Sequence, residues 1–225
     1  GTASTVITAG TLTADAAGAM TLDTSVDSAD LSTSAAGSIS VDETDAITLT
    51  DVDTSNGAIT ITAGGAITAT DVASSTDSDA NDITLTGVGI AVTKIDSGST
   101  AGDVVLDAGT GAITQDATDD KDDVTADSLT ADAATGIDLD TTVLSADLSV
   151  SGTGSIVLDE LNAITLSDLD TTDGSITVDA AGDVVSTDVD ASDAIAITAS
   201  SGDITLGGLT CLLYTSPSPR DLSTT

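Results

Sequence analysis

The first 210 residues contain no cysteine, proline, histidine or arginine and no aromatic ring. Without histidine, cysteine and arginine, most acid–base, nucleophilic and oxyanion chemistry has no side chain to run on. Without aromatic rings the core must be assembled from aliphatic side chains, so no single bulky globular core is expected. Lys94 and Lys121 are the only basic residues in this stretch, against 37 of the chain's 38 acidic ones, for a net charge of −35. Nucleic acid requires clustered Lys and Arg and is excluded as a partner. Anionic membrane surfaces are disfavoured on the same ground, and no apolar run approaches the ~18 residues of a membrane helix, so membrane insertion of this segment is not expected. Glu, Lys, Gln and Arg are scarce and a 3.6-residue beat is nowhere sustained, which argues against helix. The lack of cysteine fits secreted bacterial proteins, and the acidity fits solubility in salt-rich water and attraction of divalent cations.

Every Cys, Pro, Tyr and Arg lies between positions 211 and 220. So abrupt a change of composition marks residues 211–225 as a foreign, disordered tail to be kept out of fold reasoning. The string CLLYTSPSPRD at 211–221 resembles the conceptual translation of a sequencing-library adapter, of the kind found at the ends of genes assembled from environmental reads. Residue 1 is Gly rather than Met, and residues 1–210 are expected to be an internal segment of something longer.

That segment copies itself. Residues 12–72 align without a gap to residues 129–189 at an offset of 117, with 36 of 61 positions identical. A shorter beat runs inside each copy: Leu12 to Leu31 and Met20 to Ile39 are 19 apart, Ile39 to Ile59 and Ile156 to Ile176 are 20 apart. Fixed periods of this size mark a repeat architecture whose units bury their apolar faces only against neighbours. Six units of 19.5 make 117, so the long repeat is expected to hold a whole number of short ones.

The local unit is a corner residue, a spacer, then alternating apolar residues. It recurs as Gly37-Ser38-Ile39, Gly57-Ala58-Ile59, Gly65-Ala66-Ile67 and Gly102-Asp103-Val104, then as Gly111-Ala112-Ile113, Gly154-Ser155-Ile156, Gly174-Ser175-Ile176, Gly182-Asp183-Val184 and Gly202-Asp203-Ile204. Gly, and the Asp or Asn that replaces it at Asp45, Asn81 and Asn162, tolerates φ > 0 and suits a corner. Beyond it Ile47 and Leu49 alternate with Thr48 and Thr50, the period-two pattern of a half-buried strand. Two such strands per unit are expected, with successive starts at Ile39, Ile47, Ile59 and Ile67. Sandwich domains also space strands this way, but they have no reason to hold a period of 19–20. A parallel β-helix, an all-β solenoid with one coil per repeat, does. It stacks like on like at about 4.8 Å and would fit about eleven coils into residues 1–210. Residues 71–82 and the acidic run 119–123 break the beat and are expected to bulge as loops.

Coils of this length, with Gly-x-Ile-Thr starts at residues 57–61, 174–178 and 202–206, resemble the repeats of filamentous-haemagglutinin-like exoproteins and other large repetitive bacterial adhesins. The resemblance lies in repeat style over most of residues 1–210. It implies a right-handed coil, a place outside the cell or on the bacterial surface in association with the outer membrane, and a role as a structural or adhesive shaft. Partners would be glycans or proteins of a host or neighbouring cell. The secretion domain of that family is not seen, so its export route is unsupported.

Three other functions have residues that speak for them. Asp51, Asp53 and Asn56 recur as Asp168, Asp170 and Asp173, each set before a Gly, and alternating carboxylates suit calcium. A calcium-dependent binding or surface-layer module is therefore the alternative, although the spacing departs from an EF-hand and the same residues simply make corners. Outward threonines at 48/50, 60/62, 68/70 and 84/86 resemble the ladders of ice-binding solenoids. A carbohydrate-active β-helix would need paired carboxylates in a groove. Glu43 and Glu160 are carboxylates beside Asp42 and Asp159, but their duplication points to structure rather than to one active site. No catalysis is expected.

Overall fold

The computed structural model describes residues 6–115 and 123–211. Of the acidic run at 119–123 only Asp123 falls among them, and of the expected tail only Cys211, which ends the strand Ile204–Cys211. Among the described residues there are twenty strands and no helix. The pairings are parallel and wind into a β-solenoid of about ten turns. Short β-branched and aliphatic runs, with hydroxyl or carboxylate residues between them, can bury one side while the other stays wet, and each backbone edge is met by the next coil.

Three columns of in-register strands carry the core. The first stacks Met20, Ile39, Ile59, Ile83, Val104, Leu129, Ala146, Leu166, Ser186 and Leu206. The second stacks Ile47, Ile67, Ile90, Ile113, Ile137, Ile156, Ile176 and Ile195. The third runs through Leu31, Val52, Val72, Ile95, Val124, Thr141, Glu160 and Ala180. From Ile47 to Ile176 the second column is at most 2 % exposed, so its isoleucines meet essentially no water. Like stacks on like because equivalent side chains at coil spacing fill the same slice of the interior.

Each coil therefore has three strands where the sequence suggests two. The run Ile47–Asn56 pairs first with Ile67–Ala69 and then with Val72–Ser74, turning a corner at Thr50 and Asp51. Two consecutive exposed residues mark that corner. They shift the inward phase by one, from Ile47 and Leu49 to Val52 and Thr54. Relative to the coil below, Thr50 is an extra, bulged residue, for Ala29 pairs with Leu49 and Asp30 with Asp51. Its hydroxyl donates to the Ala29 carbonyl at 2.8 Å, which ties the bulge to the coil below. The expected loop at 71–82 also contains structure, since Val72–Ser74 lies in the third column and only residues 75–82 leave it.

The long repeat does not hold a whole number of coils. Ile39 stands in the first column, but Ile156, its equivalent in the second copy, stands in the second. Likewise Val52 is in the third column and its copy Leu169 pairs into the first, in line with Leu148, Ala131 and Leu106. The second copy is thus turned by one third of a coil, five and a third coils beyond the first. Coil length is not constant either. The step from Ile59 to Ile83 is longer than that from Ile39 to Ile59, and the step from Val104 to Leu129 is longer still. From Leu129 to Ala146 the coil is shortest of all in this column.

The corner glycines are also explained differently. None of the nine named above has positive φ, which among the described glycines occurs at Gly89, Gly98, Gly109 and Gly136. Close approach selects glycine instead. A Cβ on Gly65 would lie 2.6 Å from the Ala46 nitrogen, and one on Gly182, its copy, 2.6 Å from the Ala163 nitrogen. The next coil passes directly over the corner below, and a side chain there would wedge the coils apart.

Candidate functional site

Several elements together build an acidic edge at the bulged corner. In the first copy Asp51 and Asp53 flank the buried Val52, Asp30 pairs beneath Asp51, and in the coil above the Asp71 carbonyl accepts from the Val52 amide. Partial burial, then the charges of Asp51 and Asp71, push the Asp53 carboxyl up to about 6, with Lys94 opposing. Lys94 stacks one coil further on and donates to both Asp71 carboxylate oxygens, at 3.2 and 3.4 Å. In the second copy Asp147 pairs with Asp168, and Asp170 with Asp190. Burial, followed by the charge of Asp168, raises the pKa of both Asp147 and Asp170. Two unit charges about 5 Å apart repel by roughly 1 kcal/mol in water and by several times that where shielding is poorer.

The six residues expected to bind calcium are only partly brought together. Asp51 lies beside Asp53 and Asp168 beside Asp170, but Asn56 and Asp173 sit at the following corner. The Asn56 Oδ1 there accepts from the buried Asn81 Nδ2 at 2.9 Å, and an Asp173 oxygen accepts from the Thr153 hydroxyl at 3.1 Å. Among the described residues no three or more acidic, histidine or cysteine side chains group as a metal site. Six to eight converging oxygens, as calcium requires, are not supplied by these residues.

Glu43 and Glu160 are inside the rod, 1 % and 4 % exposed. The two Glu43 oxygens accept from the Val26 and Asp45 amides at 3.0 and 3.1 Å. Those of Glu160 accept from the Val143 and Asn162 amides at 3.1 and 2.9 Å, and from the Thr141 hydroxyl at 2.8 Å. Each carboxylate ties the corner it precedes to the coil below. Burial pushes the Glu160 pKa up, and these hydrogen bonds oppose the shift. Both carboxylates are thus committed to backbone donors, and Glu160 also borders an open groove between coils.

Sequence reasoning missed a second internal device. Buried Thr54 and Thr171 donate to the carbonyls of Gly57 and Gly174 at 2.6 and 2.9 Å, and buried Thr33 donates to Gly37 at 3.0 Å. The Thr-x-x-Gly spacing at 54–57 and 171–174 was the available signal, hidden among outward threonines. The outward ladders are short. Thr48 stacks on Thr68, but their neighbours are Ser28 and Ala91, while Thr60 and Thr84 lie between Ser40 and Val105. The concave places are open, such as the groove of about 280 Å³ lined by Asp159, Glu160, Leu161, Asp179 and Ser200. No helix among the described residues is long and apolar enough to cross a membrane.

These features define a parallel β-solenoid repeat protein with a largely aliphatic interior, a few buried polar side chains that hold its corners, and an acidic, hydroxyl-rich exterior. Comparison with protein families, with curated proteins and with solved structures finds no match for the chain.

Proposed function

We propose that residues 1–210 form a structural and adhesive shaft segment of a large bacterial repeat protein that is secreted or displayed at the cell surface, in the manner of haemagglutinin-like adhesins. One observation carries this reading: aliphatic columns run through both copies, while the duplicated glutamates are turned inward to hold corners and the aspartates spread along an edge. A continuous ladder of parallel strands resists extension along the rod, and the outward Thr, Ser and Asp side chains can hydrogen-bond to glycans or proteins of a neighbouring cell. The reading includes a right-handed coil, an outer-membrane-associated location and no catalysis. The test is to present the immobilised chain to arrays of glycans and of extracellular proteins, and to assay the same polysaccharides for cleavage. Retention of a defined subset without cleavage supports a shaft with adhesive use. Release of shortened polysaccharide would overturn it.

A further inference from the structure

The coils stacked on the ends of the two copies differ at one rung that matters electrostatically. Above the first copy Lys94 precedes Ile95, which pairs with Val72. Above the second copy Leu209 occupies the place of Ile95 by pairing with Val189, and the residue before it is Gly208, paired with Asp188. So the ammonium that bridges to Asp71, and whose charge also reaches Asp96 and Asp53, has no counterpart above Asp168, Asp170, Asp188 and Asp190. Among the described residues Lys94 is the only basic side chain.

We propose that Lys94 is a built-in counter-ion, holding the first copy's bulged corner together where the second copy's corner relies on dissolved cations, so that falling ionic strength loosens the rod from the second copy first. Salt screens exposed charges that lie farther apart than a distance of about 3 Å at 1 M and about 30 Å at 0.01 M, so neighbouring carboxylates repel fully only in dilute salt. An ammonium in direct contact needs no such help. Stability in a stacked repeat is divided among neighbouring coils, so a strained corner opens locally and leaves distant coils closed.

The test is amide hydrogen exchange of the full chain near neutral pH, comparing the equivalent strands Ile47–Asn56 and Ile164–Asp173 in about 0.5 M and about 10 mM sodium chloride. Exchange in Ile164–Asp173 is expected to quicken about tenfold or more at low salt, and in Ile47–Asn56 less than about threefold. Lys94→Gln should make the first copy as salt-dependent as the second. Asp188→Lys should remove the dependence in the second. Asp138→Lys makes the same change in charge at a rung between Thr114 and Val157, and should leave the contrast between copies in place. Equal salt response of the two strands in the parent chain would overturn the proposal. So would an Asp138→Lys effect as large as that of Asp188→Lys, which would reduce the matter to net charge.

Discussion

Ile90→Ala probes the stacked column where it is most uniform. Ile90 lies between Ile67 and Ile113, and all three are at most 2 % exposed. The coils above and below are pinned by the bonds Ile67 N–H to Gly89 O at 3.0 Å and Ile90 N–H to Ala112 O at 2.9 Å, so they cannot close over a void. Removing three carbons forfeits about 2.4 kcal/mol at roughly 0.8 per buried methylene. The unrelaxed cavity adds to this, within the roughly 2–5 kcal/mol typical of such truncations. Urea unfolding, with hydrogen exchange to localise the damage, should show a loss of about that size centred on Ile67–Ala69, Ile90–Val92 and Ile113–Gln115. Thr68→Ala, on an outward position of the same column, should change stability by less than about 0.5 kcal/mol. If the outward truncation cost as much as the inward one, the assignment of inside and outside would be wrong.

Other outcomes follow from the corners and the charges. Gly65→Ala and Gly182→Ala each place a methyl about 2.6 Å from the backbone of the coil below; both should destabilise, and exchange at Ala46 and Ala163 respectively should rise. The Asp53 pKa is raised from 3.8 to about 6, so the folded rod keeps a proton that the unfolded chain has lost. Stability from this group is complete below about pH 4 and lost as pH rises through 6. Asp53→Asn should flatten that slope and raise the Tm at pH 7; an unchanged profile would contradict the shift. Calcium and magnesium at equal concentration should stabilise equally, since the expected ligands are divided between two corners. A preference for calcium in a thermal melt would restore a specific site.

Much of the fold was legible because its signals are local. Alternation at Ile47-Thr48-Leu49 fixes inside and outside, and the distance from Ile39 to Ile59 fixes one coil. The phase of the two copies was not legible, because all three columns are filled largely with Ile, Leu, Val and Ala and a buried Ile carries no mark of its column. Dividing the long repeat by a constant coil length could not reveal coils that lengthen between Ile59 and Ile83 and shorten between Leu129 and Ala146. The site was read less well for a related reason. Aspartate serves as corner former, edge charge and metal ligand alike, and only the register shows that Asn56 is occupied by Asn81. Glu43 and Glu160 were legible as a duplicated pair, and the alternation that starts at Ile39-Val41 and Ile156-Leu158 carries both to the inward face. What the sequence hides is the set of backbone donors that receives them.

The most direct measurement is through-hydrogen-bond scalar coupling by NMR on the deuterated, uniformly labelled chain. Couplings from the Ile137 amide nitrogen to the Ser155 carbonyl carbon, and from Ile156 to Ser175, are expected, since both bonds are 3.0 Å long. They would place Ile156 in the column of Ile137 and Ile176, one third of a coil away from that of its copy Ile39. Couplings that join Ile156 to the strands carrying Leu129 and Leu166 would put the copies in phase and contradict the account.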